Sequence, residues 1–128
     1  MSSEISGAER QTWHWPDFLD AMVAAADYHT VLLENEQVRV LRTRILPGQT
    51  VPIHTHRWPS VQLIVSWSDL IRRDHLGNVM LDTRTVTESP KLNTPLWHPA
   101  LAPHSVENVG GAEIHALQIE IKTGHSSS

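Results

Sequence analysis

The hydrophobic and polar positions fall into two regimes that change over near Tyr28. Over residues 16–27, Phe18, Leu19, Met22, Val23 and Ala26 recur with the spacing of one helical face. Pro16 tolerates a helix start, and Asp17 and Asp20 suit the positive end of a helix dipole. The stretch predicts one short N-terminal helix, packed outside the rest of the domain, over a pocket mouth or against another subunit. After Tyr28 the pattern becomes extended. Runs rich in β-branched and apolar residues at 30–33, 38–46, 50–56, 61–67, 69–74, 79–83, 96–101, 105–109 and 113–122 alternate with turn residues. Pro47-Gly48, Gly77-Asn78 and Gly110-Gly111 are the clearest turns. Roughly eight to ten short strands with no second helix predict an all-β sandwich or barrel. The last run alternates His115, Leu117, Ile119 and Ile121 with Ala116, Gln118 and Glu120. Its apolar set, with His115, is expected to face inward.

A chain of 128 residues makes one domain, expected over 13–123 with flexible tails at 1–12 and 124–128. Ten basic against 14 acidic residues give a net charge of −4, which argues against a nucleic-acid partner. The lack of cysteine excludes a disulfide framework, a zinc ribbon and a thiol nucleophile. No apolar run is long enough to span a membrane, and the first residues carry no secretory pattern. The expectation is a cytoplasmic protein that acts on a small molecule, with neither membrane nor nucleic acid as partner.

Nine histidines change the picture. His54 and His56 are two apart on a predicted strand, so both imidazoles project from one face and can converge on a metal ion. His104, on another predicted strand, is the third ligand that such a site needs. Only the fold can bring it to the first pair.

Gly48, His54 and His56, followed later by Pro99, His104 and Asn108, resemble in their spacing the two motifs of the cupin superfamily. Leu101 stands where the second motif usually has glycine. The resemblance covers about Gln37 to Lys122. It implies a jelly-roll barrel (a double-stranded β-helix) with one metal in its mouth, and a homodimer formed by strand exchange or sheet packing. The glutamate that usually joins the histidines is missing. Ser60 occupies its slot and Trp67 the following glycine slot. Three neutral imidazoles leave a divalent ion its full charge, which favours an anionic ligand. Among cupins this ligand set implies iron(II) first, with nickel, copper, manganese or zinc as alternatives. It implies a dioxygenase-type oxidoreductase acting on a small chelating anion. A non-catalytic binding or sensing module, and a metal-dependent isomerase or lyase, are the competing readings.

Other residues bear on the pocket. Gln62 and Ser60 share the parity of His54 and His56 and are expected to face the interior. Trp58 shares it too, as a pocket wall or as ordinary rim packing. His115 is a fourth polar group if its strand faces inward. Asn108 suits a turn. One arginine among Arg39, Arg42, Arg44, Arg72 and Arg73 could turn inward to bind a substrate carboxylate. His14, His29, His75 and His98 have no partner spacing.

Overall fold

The computed structural model describes residues 13–122. The expected tails lie outside the described residues. Nine strands succeed one another: β1 (His29–Glu34), β2 (Val38–Ile45), β3 (Thr50–His56), β4 (Ser60–Ser66), β5 (Leu70–Asp74), β6 (Val79–Asp82), β7 (Leu96–His98), β8 (Leu101–Asn108) and β9 (Ile114–Ile121). They form two antiparallel sheets, one ordered β1-β2-β9-β4-β7 and the other β3-β8-β5-β6. This is the all-β architecture that the pattern predicts, in the jelly-roll form that the resemblance implies. No helix among the described residues is long and apolar enough to cross a membrane.

The N-terminal helix is corrected. Residues 16–27 hold a 3-10 turn, Asp17–Leu19, and a single α-helical turn, α1 (Ala21–Ala24). Between them Asp20 is extended, with φ −53° and ψ 145°. Its carboxylate accepts the Met22 amide and both terminal nitrogens of Arg39. A capping acid held by a tertiary ion pair therefore interrupts the helix that the periodicity suggests. The small residues Ala21 and Ala25 are buried, while Phe18 and Val23 are exposed.

The facing of β9 is also corrected. Its buried positions are Ile114, Ala116, Gln118 and Glu120, and His115, Leu117, Ile119 and Ile121 lie on the other side. Alternation sets which residues share a face, but which face is inward depends on what the interior contains. Register shows the division. Ile45 of β2 lies opposite Ile114 of β9, at the end where both join the apolar cluster with Val51 and Leu70. At the other end Arg39 lies opposite Glu120. The interior is a core at one end and a polar site at the other, so the polar set of β9 turns inward.

Asn108 clamps the apolar end. It is 1% exposed, and its Nδ2 donates to the carbonyls of Ile45 and Ala112. Its Oδ1 accepts from Ser68 Oγ and the Gly110 amide. All its capacity goes into joining strands and the turn, as expected of a turn residue. Gly110 has no room beside this clamp, since a Cβ there would lie 2.1 Å from Ser68 Oγ and 2.8 Å from the Asp69 amide nitrogen. Gly110→Ala is expected to destabilise the protein by about 1–3 kcal/mol through overpacking, read by urea unfolding. Gly111→Ala, with open space around its Cβ, serves as the control.

Candidate metal centre

Four imidazoles meet inside the polar end. His54 and His56 come from β3, His104 from β8 and His29 from the start of β1, and all four are buried. His54 and His104 are direct partners across the β3–β8 ladder. Their ring centroids are 4.4 Å apart, and the His54 ring also lies 5.0 Å from His56 and 5.1 Å from His29. His56 lies 5.8 Å from His104 and 5.4 Å from His29. One nitrogen from each of His29, His54 and His56 falls within 4.8 Å of the others, close enough to share an ion. His104 borders this group through His54 and His56. The rings of the predicted trio are neighbours, but the three whose nitrogens lie close enough to share an ion are His29, His54 and His56, with His104 beside them.

The hydrogen bonds assign the protons. His54 Nδ1 donates to the Pro52 carbonyl and His104 Nδ1 to the Ala102 carbonyl, both at 2.7 Å. His29 Nδ1 donates to the Ala25 carbonyl at 3.0 Å. His56 Nδ1 donates to Glu120 Oε2 at 2.9 Å. Each acceptor is an oxygen, so each Nδ1 carries the proton and each Nε2 keeps a free lone pair. Histidine ligands are prepared for a metal in this way. His54 and His104 share a local device, a carbonyl two residues back, and the β3–β8 ladder slips in register on both sides of His54.

Burial keeps His29, His54 and His104 neutral. It pushes His29 down to about 4, and it pushes His104 to about 3 and His54 to about 2, helped for His54 by the charge of His104 and His56. Below pH 6.5 the unfolded chain protonates these three histidines, while the folded chain resists until about pH 4. Acid therefore favours unfolding across that window. Metal-free protein is expected to lose stability as pH falls from about 7.5 to 5, approaching about 4 kcal/mol per pH unit for three groups. Urea unfolding over that range checks this, and a flat profile would contradict it.

Glu120 is the residue that sequence reasoning missed. It is fully buried and lies directly opposite Ser60 on the β4–β9 ladder. A carboxylate thus reaches the site from the strand beside the empty motif slot. Glu120 Oε1 accepts from Arg39 Nε at 2.6 Å while its other oxygen holds His56. Asp20 then grips the far side of Arg39 with two bonds of 2.9 Å. Burial opposes ionisation of Asp20, but the bonds from Arg39 and the Met22 amide outweigh it and leave its pKa lowered. The chain Asp20–Arg39–Glu120–His56 fixes one ligand through three charged groups.

The pocket expectations divide. Gln62 lines the interior cavity beside the four histidines. Ser60 is buried against Glu120's strand. Trp58 is outside the cavity lining, and its ring takes the cations of Arg39, Arg57 and Lys122 at 5.1, 5.5 and 5.4 Å. It packs the outer side of the charged chain. His115 faces away from the cavity with the rest of its alternate set, because the polar half of β9 is the inward one. Arg72 and His98, by contrast, line the cavity.

Compared with known proteins, the chain matches no family model and no curated sequence. It does match solved structures. It is 26% identical to a cupin domain from Bordetella pertussis Tohama I, covering 74% of this chain and 92% of that one with a TM-score of 0.60. The fold is that of a cupin. Two further structures show the same fold. An RmlC-like cupin family protein with a double-stranded β-helix fold from Methanocaldococcus jannaschii is 11% identical, over 73% of this chain and 77% of that one, with a TM-score of 0.51. An uncharacterised conserved protein with a double-stranded β-helix domain from Klebsiella pneumoniae subsp. pneumoniae is 17% identical, over 73% and 74%, with a TM-score of 0.52. With this fold the histidine cluster suits a metal ion on the chemistry of its donors: buried, pre-oriented imidazoles with free Nε2 atoms.

Proposed function

We propose that this cupin is a metal-dependent oxidoreductase of the dioxygenase type, acting on a small chelating anion. His54, His56 and His104 would hold one divalent transition metal, iron(II) foremost, with His29 as a fourth donor beside them. The observation that carries the reading is the set of four Nδ1-protonated histidines around one cavity. A bound ferrous ion would supply Lewis acidity and oxygen chemistry there.

The chain's own residues do the rest. Glu120 holds the His56 tautomer, and Arg39 holds Glu120. Among the described residues no carboxylate side chain lines the cavity, so the wall adds no negative charge and favours an anion. The same lack of a lining acid disfavours an isomerase that moves protons between paired carboxylates. Leu70, Val106 and Ile114 wall the cavity with apolar surface and limit water near the ligand.

The test is oxygen uptake by protein reconstituted anaerobically with ferrous ion, screened across thiols, diketones and aromatic acids. Uptake above that of free iron with one class, lost in His54→Ala, is the expected result. Uptake with none of them, together with ligand-dependent thermal stabilisation, would replace this reading with a non-catalytic binding module.

A further inference from the structure

Arg72 stands on β5 with its side chain at the cavity wall. Its Nε is wholly enclosed and without a hydrogen-bond partner. Other arginines of the barrel find carboxylates: Arg39 meets Asp20 and Glu120, Arg44 meets Glu113, and the adjacent Arg73 meets Glu107. Arg72 meets none among the described residues. Arg42 shares the orphaned Nε but lines neither of the two interior cavities. An enclosed guanidinium N–H left without a partner is costly unless an acceptor completes it.

A second observation lies beside it. His98 lines the same wall, and its Nδ1 is also enclosed and unpartnered. Burial, then the charge of Arg72, lowers the His98 pKa, and the ring donates to an anion here in its Nδ1–H tautomer. Two unsatisfied polar groups therefore sit on one surface with no protein acceptor.

A third observation sets what the anion is attached to. Arg72 and His98 belong to two cavities at once. One contains the four histidines. The other continues past Ile64, Trp67, Leu81, Pro90 and Leu96, an apolar lobe without a charged side chain beyond Arg72. Polar recognition stands at the junction, with the candidate metal on one side and apolar surface on the other.

The geometry points to a carboxylate subsite formed by Arg72 and His98, which takes a small carboxylic acid whose apolar substituent fills the lobe beyond. The planar fork of arginine matches a carboxylate with two parallel bonds. This deepens the proposed reading, on which it rests for the role of the acid as substrate. It narrows the candidates to hydrophobic acids held beside the histidine cluster.

The experiment is calorimetric titration with benzoate, benzamide and acetate, on protein as purified and after removal of metal by a chelator. Benzoate is expected to bind at least tenfold more tightly than either benzamide, which lacks the charge, or acetate, which lacks the ring. Arg72→Gln is expected to weaken benzoate at least tenfold in both preparations while leaving metal content unchanged. Arg72→Lys, which keeps the charge and loses the fork, is expected to fall between. Leu96→Trp, at a partly exposed position of the lobe, is expected to weaken benzoate and spare acetate. Equal affinity of benzoate and benzamide, no benzoate binding, or benzoate binding untouched by Arg72→Gln would each overturn the subsite. If the protein proves to hold no metal but the stripped form still binds benzoate through Arg72, the metal reading fails and the subsite stands. Should Arg72→Gln fail to fold, the Arg72→Lys and Leu96→Trp arms decide.

Discussion

Glu120→Ala is expected to remove about 3–5 kcal/mol of stability, because it breaks a buried ion pair and leaves one partner behind. Arg39 has an 8% exposed side chain, and Glu120 is the only carboxylate on its Nε. After the substitution Arg39 keeps Asp20 alone, and the His56 Nδ1–H loses its acceptor. For a domain whose whole stability is of order 5–15 kcal/mol, that loss brings unfolding near. Glu120→Gln separates stability from metal binding. The amide keeps the shape, but its NH2 must oppose either Arg39 Nε–H or His56 Nδ1–H. Metal affinity is then expected to fall about 10–100-fold, as when an outer partner of a ligating histidine is lost. Urea unfolding and competition with a chromophoric chelator measure the two effects. Glu120→Ala within about 1 kcal/mol of wild type, with Glu120→Gln unchanged in metal affinity, would remove Glu120 from the account.

His54→Ala is expected to lower divalent-metal affinity by at least about 100-fold, beyond the range for loss of an outer partner. His54 lies within 5.1 Å of all three of the other rings, closer to His29 and His104 than His56 is. The same substitution has a second signature in metal-free protein. It removes one group whose folded pKa lies far below its unfolded value. The fall in stability between about pH 6.5 and 5 should therefore become shallower by about 1.4 kcal/mol per pH unit. His115→Ala is the matched control, since that ring faces away from the cavity and its loss should leave metal affinity unchanged. Equal metal affinity in wild type and His54→Ala would contradict the site.

The strands are legible because strand periodicity is local, but the facing of β3 only in part, since it slips in register on both sides of His54 and buries Val51 and Thr55 as well as His54 and His56. His54, His56, Ser60 and Gln62 share a parity that can be counted along the chain, and the first three are buried while Gln62 lines the cavity. The content of the interior is not legible in the same way. The polar half of β9 faces inward because Arg39 and His56 wait there, and neither is a neighbour of Glu120 in the chain. A buried Gln-x-Glu on the last strand looks like a solvent face until the partners are known. His29 is hidden for a related reason: its metal-site neighbours lie on other strands, and its one local sign, a carbonyl at Ala25, depends on where the helix stops. The helix itself is shorter than its periodicity because Asp20 serves a tertiary ion pair that periodicity does not report. Charge pairing across distant strands, not local pattern, accounts for the facing of β9 and the short helix.

The most direct measurement is elemental analysis of untagged protein, as purified and after anaerobic reconstitution with ferrous ion. About one equivalent of a transition metal per chain, removed by chelator and lost in His54→Ala, is the result expected of a four-histidine centre. No bound metal in either preparation would contradict it.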